Sequence, residues 1–326
     1  MTEKRNGKMQ AKEAVSPEIF QGGDFGELLN NHVEKKIDQH EKELLSAVGA
    51  DYGEALTLAR NNDLDKAEWY MNKAHQEQEN FSQTSLVYQL LDLHGLPVKA
   101  YFHYKKKEYK LAEQYLRDST SKSADLVKEG FYMVECHRIQ QLHNLARMYF
   151  KRNELEHGGQ MISEALLYMT QEMIPTVDSN WHVDSLRQCP MSLRCGMILQ
   201  LALETAGELL PPTLRQQELY KSAFGNWSEP LPGLTDCEPL NQWIKLKNLY
   251  LLEHSDEAFV ESAIDFALTA PAQFDILKLV LIVNMTDTLR KTSNYDPAVY
   301  KDLSAFGQKL KVSRRYKLAC FTYMQP

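Results

Sequence analysis

From Glu27 to about Ile174, apolar residues recur three and four positions apart, with charged and amide residues between them. That is the period of an amphipathic helix. Ala, Leu, Glu, Lys and Gln dominate the stretch, and Pro97 is the one proline between Pro17 and Pro175. Both features favour long, uninterrupted helices. After Pro175 the texture changes: VDSNWHVDSLRQCP, ELLPPTL and NWSEPLPGLTDCEP are breaker-rich connections between further helical segments. The pattern predicts late helices over Leu240–His254, Glu257–Thr269, Gln273–Thr292 and Pro297–Lys311. The last opens with Asp296 as N-cap and Pro297 in the first turn. The tail SRRYKLACFTYMQP reads as a closing helix or strand. The expectation is an all-α chain. Its parts are a flexible arm over residues 1–25, helical repeats over 26–175, and a helical region over 176–326 packed on the repeats.

The repeats emerge when three segments are placed in register: ALTLARNNDLDKAEWYMNKA from Ala55, AYFHYKKKEYKLAEQYLRDS from Ala100, and ARMYFKRNELEHGGQMISEA from Ala146. Small residues coincide at Ala55, Ala100 and Ala146, again at Ala67, Ala112 and Gly158, and again at Ala74, Ser119 and Ala165. Each turn carries an acidic then an apolar residue: Asp63-Leu64, Glu108-Tyr109, Glu154-Leu155. The offsets of the second small set are 112 − 67 = 45 and 158 − 112 = 46. Two antiparallel helices approach closely only where side chains are small. One such hairpin cannot cover its own apolar face, so neighbours must stack.

In these residues the chain resembles the tetratricopeptide-repeat (TPR) family. The segment NLARMYFKRNELEHGGQMISEAL, from Asn144 to Leu166, is its best match, with Leu145, Ala146, Tyr149, Leu155, Gly158 and Ala165 on the packing positions. The period of about 45 exceeds the family's usual unit of about 34 residues by more than a helical turn. The signature Trp and the closing Pro are missing, and the resemblance covers roughly residues 50–170. Longer-helix versions resemble the repeat domains of bacterial peptide-sensing regulators. The resemblance implies antiparallel hairpins stacked as an α-solenoid, with the first helix of each pair lining a concave, peptide-binding surface.

In that register a cation recurs on the first helix, at Arg60, Lys105 and Lys151. Tyr101 and Tyr104 lie beside the second, and His143, Asn144 and Arg147 near the third. Cations with aromatics along a groove suit an acidic or carboxylate-terminated peptide, through charge-assisted hydrogen bonds. The same three cations fall in the last turn of a helix, where they also complement its dipole. These eight residues are the candidate ligand contacts.

Composition narrows the alternatives. The formal charge is 37 − 44 = −7, which argues against a nucleic-acid-binding surface covering the whole chain and leaves room for a local basic patch. The run HYKKKEYK reads as a solvated turn. Five cysteines without a regular framework fit reduced thiols in a cytoplasmic setting. The charged first 20 residues lack the apolar core of a signal peptide. The most apolar window, FDILKLVLIVNM, holds Asp275, Lys278 and Asn284 and is too short to span a membrane.

No metal-ligand spacing, hydrolase elbow, dinucleotide fingerprint or kinase motif is present, so no cofactor is implied. The leading expectation is a non-catalytic scaffold or adaptor binding a protein or peptide segment. One alternative is a peptide-responsive regulatory receptor. The other is an enzyme or accessory subunit with a site around Trp181–Cys195, using His182 and Asp184. Trp227 and Trp243 read either as interface anchors or as pins for a Pro-rich loop.

Overall fold

The computed structural model describes residues 23–177, 180–210, 213–227, 237–253, 256–291 and 296–324. All but the last three residues of the expected arm lie outside this set. The first half comprises α1 (Gly23–Lys36), α2 (Gln39–Arg60), α3 (Leu64–Gln78), α4 (Leu86–Lys105), α5 (Tyr109–Lys128), α6 (Val134–Lys151) and α7 (Leu155–Gln171). The second comprises α8 (Val183–Gln188), α9 (Met191–Glu208), α10 (Leu214–Phe224), α11 (Glu238–Asn248), α12 (Asp256–Thr269), α13 (Asp275–Lys291), α14 (Pro297–Lys309) and α15 (Arg314–Met324). The chain is all-helical, with no strand among the described residues.

Local sequence accounts for many of the boundaries. Asp38 and Glu41 form a reciprocal capping box that opens α2, and Ser85 caps α4. Asp296 accepts from the Ala298 amide with Pro297 in the first turn of α14. The tail closes as a helix. The helix expected over 240–254 is instead split: α11 ends at Asn248 and a π-helical turn runs Leu249–Glu253. At that junction the Tyr220 hydroxyl donates to the Ile244 carbonyl and to Asn248 Oδ1, drawing the helix toward α10.

The pairs α2–α3, α4–α5 and α6–α7 pack as hairpins, and their three turns are built alike. Asn62, Lys107 and Asn153 each take a left-handed conformation, with φ of 66°, 63° and 69°. The next amide then reaches back to close the helix: Asp63 to Leu58, Glu108 to His103 and Glu154 to Tyr149, at 3.0, 2.9 and 2.9 Å. This Schellman arrangement satisfies carbonyls that the helix end leaves open. Asn tolerates the left-handed region, whereas Lys107 occupies it at a cost. Lys107→Gly is therefore expected to raise stability by about 0.5–1 kcal/mol in chemical denaturation, after glycine's own entropy is subtracted.

The small residues do what the spacing requires. Ala55, Ala67, Ala74, Ala100, Ala112, Ser119, Ala146 and Ala165 are all buried. At Gly158 a Cβ would meet the Phe150 ring at 2.4 Å, so α7 seats against α6 only because that position has none. Further along, α4 packs on α2, α6 on α5, and α7 on α9 and α10. The second half thus joins the first through a continuous apolar cluster running from Ala100 to Cys320. Its centre is α13, where the uninterrupted apolar run Leu279 to Val283 is almost wholly inaccessible. No described helix is long and apolar enough to cross a membrane.

Candidate functional site

Arg60, Lys105 and Lys151 are the final residues of α2, α4 and α6. Arg60 and Lys151 are exposed and Lys105 is half-buried. None of the three forms an ion pair within the described residues. The cations one position on behave differently. Lys106 approaches Glu68 and Glu108, each at 3.9 Å, and Arg152 pairs with Glu113 at 3.2 Å and Glu154 at 2.7 Å. The chain neutralises one cation of each adjacent pair and leaves the other to solvent. Tyr101 and Tyr104 are half-buried, with ring centroids 6.1 Å apart, and Tyr109 extends the aromatic row.

A second feature runs along α6. His137, Gln141, Asn144 and Arg147 lie four, three and three residues apart, so they share one helical face. They are chained by hydrogen bonds. The Gln141 amide lies 3.2 Å from His137 Nε2, Asn144 donates to Gln141 Oε1 at 3.1 Å, and Arg147 donates to Asn144 Oδ1 at 3.1 Å. Burial, and to a lesser degree the nearby His94, push His137 down to about 3. Its ring is therefore neutral at pH 7, with Nε2 free to accept from Gln141. His94, on α4, reaches solvent, yet desolvation lowers its pKa too.

Glu204 of α9 closes the row. Arg147 grips it with two forked bonds, Nε to Oε2 at 2.8 Å and Nη2 to Oε1 at 2.6 Å. His143 is buried and faces the same carboxylate, its Nε2 3.4 Å from Oε2. Burial alone would raise the Glu204 carboxyl, but the His143 hydrogen bond and the Arg147 charge bring it to about 2. Burial lowers His143, which therefore donates as a neutral ring. The structure thus brings His143, Asn144 and Arg147 together around an internal carboxylate. The three helix-end cations remain separate from that cluster. An acidic ligand on Arg147 would have to share or displace Glu204. Gln200 adds an amide donor to Glu204 at 3.3 Å, while its own Oε1 is buried with no partner among the described residues.

His94, His137, Gln141 and Glu204 were not among the candidates read from the sequence. The first three carried a signal, polar residues on the inner face of otherwise apolar helices. Glu204 carried none, being 57 residues from Arg147.

The region Trp181–Cys195 has a different character. Trp181 is buried with the Arg138 guanidinium 4.2 Å from its ring centre. The His182 amide donates to Glu135 at 2.8 Å, which pins this connection to α6. The Asp184 carboxylate is exposed and pairs with Arg187 at 3.0 Å. No hydrogen bond joins His182 to Asp184 among the described residues. Trp243 is fully buried, and Trp227 is half-buried, donating to Asn241 at 3.0 Å. The Pro-rich segment beyond Trp227 lies outside the described residues. A pocket of about 220 Å³ lies between α4 and α5, where Asp92 accepts from Lys122 at 2.9 Å and from Gln78 at 2.8 Å.

No protein-family model matches the sequence, and neither a curated protein nor a solved structure shows significant similarity to it. Function must therefore be argued from geometry.

Proposed function

We propose that this protein is a non-catalytic scaffold that binds a protein or peptide segment in a groove lined by α2, α4 and α6. In this reading the three hairpins form a TPR-like array, stacked as an α-solenoid, and their first helices face inward. The observation that carries it is the pairing of His94 with the row from His137 to Arg147. His94 is exposed, His137, Asn144 and Arg147 are half-buried around the buried Gln141, and desolvation lowers both histidines, as expected along a concave wall. The shared turn at spacings of 45 and 46 residues, from Asn62 to Lys107 to Asn153, supports repetition of the unit. Unpaired cations at the matching ends of the same helices favour a segment with acidic residues or a free carboxylate.

The test is capture of partners from the source cell by wild type and by an Arg60→Glu/Lys105→Glu/Lys151→Glu variant. Circular dichroism checks that both are folded. Reversing three charges is expected to cut capture at least tenfold, since charge-assisted contacts are worth about 1.5–3 kcal/mol each. Equal capture by a folded variant would move the binding surface elsewhere.

A further inference from the structure

A helix lies over the start of α6, at one end of the proposed groove. α1 is attached to α2 through Ile37 and Asp38 alone, yet its contacts lie about a hundred residues further along. Lys36 donates to the Glu129 carbonyl and lies 5.4 Å from the centre of the Phe131 ring. His32 meets Phe131 and Tyr132, with centroids 6.0 and 5.2 Å away. Phe25 stacks on His137, centroids 6.3 Å apart and planes 23° apart. Moving toward the N-terminus of α1 therefore means moving along α6 toward Gln141 and Arg147.

The helix is held by one face. Leu29, Val33 and Ile37 are buried, Phe25 is half-buried, and Glu27, Asn30, Asn31, Glu34 and Lys35 face solvent. Those four apolar residues form a ladder at four-residue spacing. Their cluster also contains Val87, Leu90 and Leu91 of α4, Phe131 and Met133 just before α6, and Val134 at its start. No described helix runs closely alongside α1, so its hold is this row of side chains. A single short amphipathic helix held in this way has little stability of its own.

We infer that α1 is a displaceable internal occupant of the groove, and that the outside partner is an amphipathic helix with the same four-residue apolar ladder. This rests on the groove being the binding surface. α1 covers its His137 end, while Arg147 and Lys151 lie beyond Phe25. The partner accordingly carries an acidic residue ahead of its helix, where α6 presents Lys151. Binding requires α1 to leave, so apparent affinity is reduced by the fraction of molecules in which it is seated.

The experiment uses the full chain and a fluorescent synthetic peptide of residues 23–37 as probe. In a Leu29→Asp/Val33→Asp variant, hydrogen exchange should show rapid exchange in α1 with α2–α7 still protected. The peptide should then bind the variant at least tenfold more tightly than wild type. Equal or undetectable binding to both proteins, with α1 released, would overturn the inference. Should the double variant unfold, a protease site placed between Ile37 and Asp38 and cut after folding gives the same comparison. The peptide should replace the cut helix, and failure to exchange would overturn the inference. A partner lost from the triple-Glu variant but indifferent to α1 release would leave the groove reading intact and remove only this one. A peptide that binds the released groove while the partner ignores the triple-Glu change would confirm only the seat of α1 and overturn both readings of the outside partner.

Discussion

Replacing Glu135 with Ala is expected to destabilise the full chain by about 3–5 kcal/mol, the cost of stranding a buried charge. Glu135 and Arg138 are both wholly inaccessible and are joined at 3.0 Å. Around them the other lone pairs and donors are used. The Tyr168 hydroxyl donates to Glu135 at 2.6 Å, and Arg138 donates to the carbonyls of Thr120 at 2.9 Å and Asn180 at 2.7 Å. The cluster thereby fastens α5, α6, α7 and the connection into α8. Arg138→Ala should cost as much, because Glu135 would be left charged and enclosed. The Glu135→Ala/Arg138→Ala double variant should cost less than the sum of the singles, since it removes both charges together. Urea denaturation of the four proteins checks this. Additive losses would mean that the two residues act independently.

The second large effect has the opposite sign. Lys247→Met is expected to stabilise the protein at pH 7 by about 1–3 kcal/mol. This is the gain from removing a poorly tolerated buried amine, less the loss of its partner's hydrogen bond. Lys247 is buried between the rings of Tyr220 and Tyr250, donates to Asn284 at 2.7 Å, and is pushed down to about 7 by desolvation. Between pH 10.5 and 7 the unfolded chain protonates this lysine while the folded chain resists. The unfolded state then binds more protons, and stability falls as pH is lowered through that window, by up to about 1.4 kcal/mol per pH unit. The Met variant lacks this slope. Its advantage over wild type should therefore be largest at pH 7, shrink as pH rises and reverse before pH 10.5, where only the lost hydrogen bond to Asn284 remains. A difference independent of pH would show that Lys247 remains charged when folded.

The sequence revealed what local chemistry dictates. The pairs Asp63-Leu64, Glu108-Tyr109 and Glu154-Leu155 marked the turns, and the small residues at Ala67, Ala112 and Gly158 announced close helix contacts, because each is required within its own hairpin; the left-handed residues before those pairs were not read. Contacts between distant segments left no such trace. Glu204 reaches Arg147 from another helix, and Cys136 and Cys189, which no metal or disulfide spacing relates, bring their sulfurs within 3.4 Å. The His143-Asn144 pair shows a subtler limit. Adjacent helical residues point about 100° apart, so the two cannot share one face. Asn144 joins the row with His137, Gln141 and Arg147, while His143 turns into the core. The docking of α1 was invisible for the same reason as Glu204, since its partners begin with Glu129.

The most direct test of the groove as the working surface is photo-crosslinking in the source cell. A photoreactive residue would be placed at Lys105 or Lys151 on the first helices, or at Lys128 on α5 as a control. The account predicts that the same partner is captured from positions 105 and 151 and not from 128. Capture from 128 alone would contradict it, placing the partner on the second helices and leaving the row on α6 as internal structure.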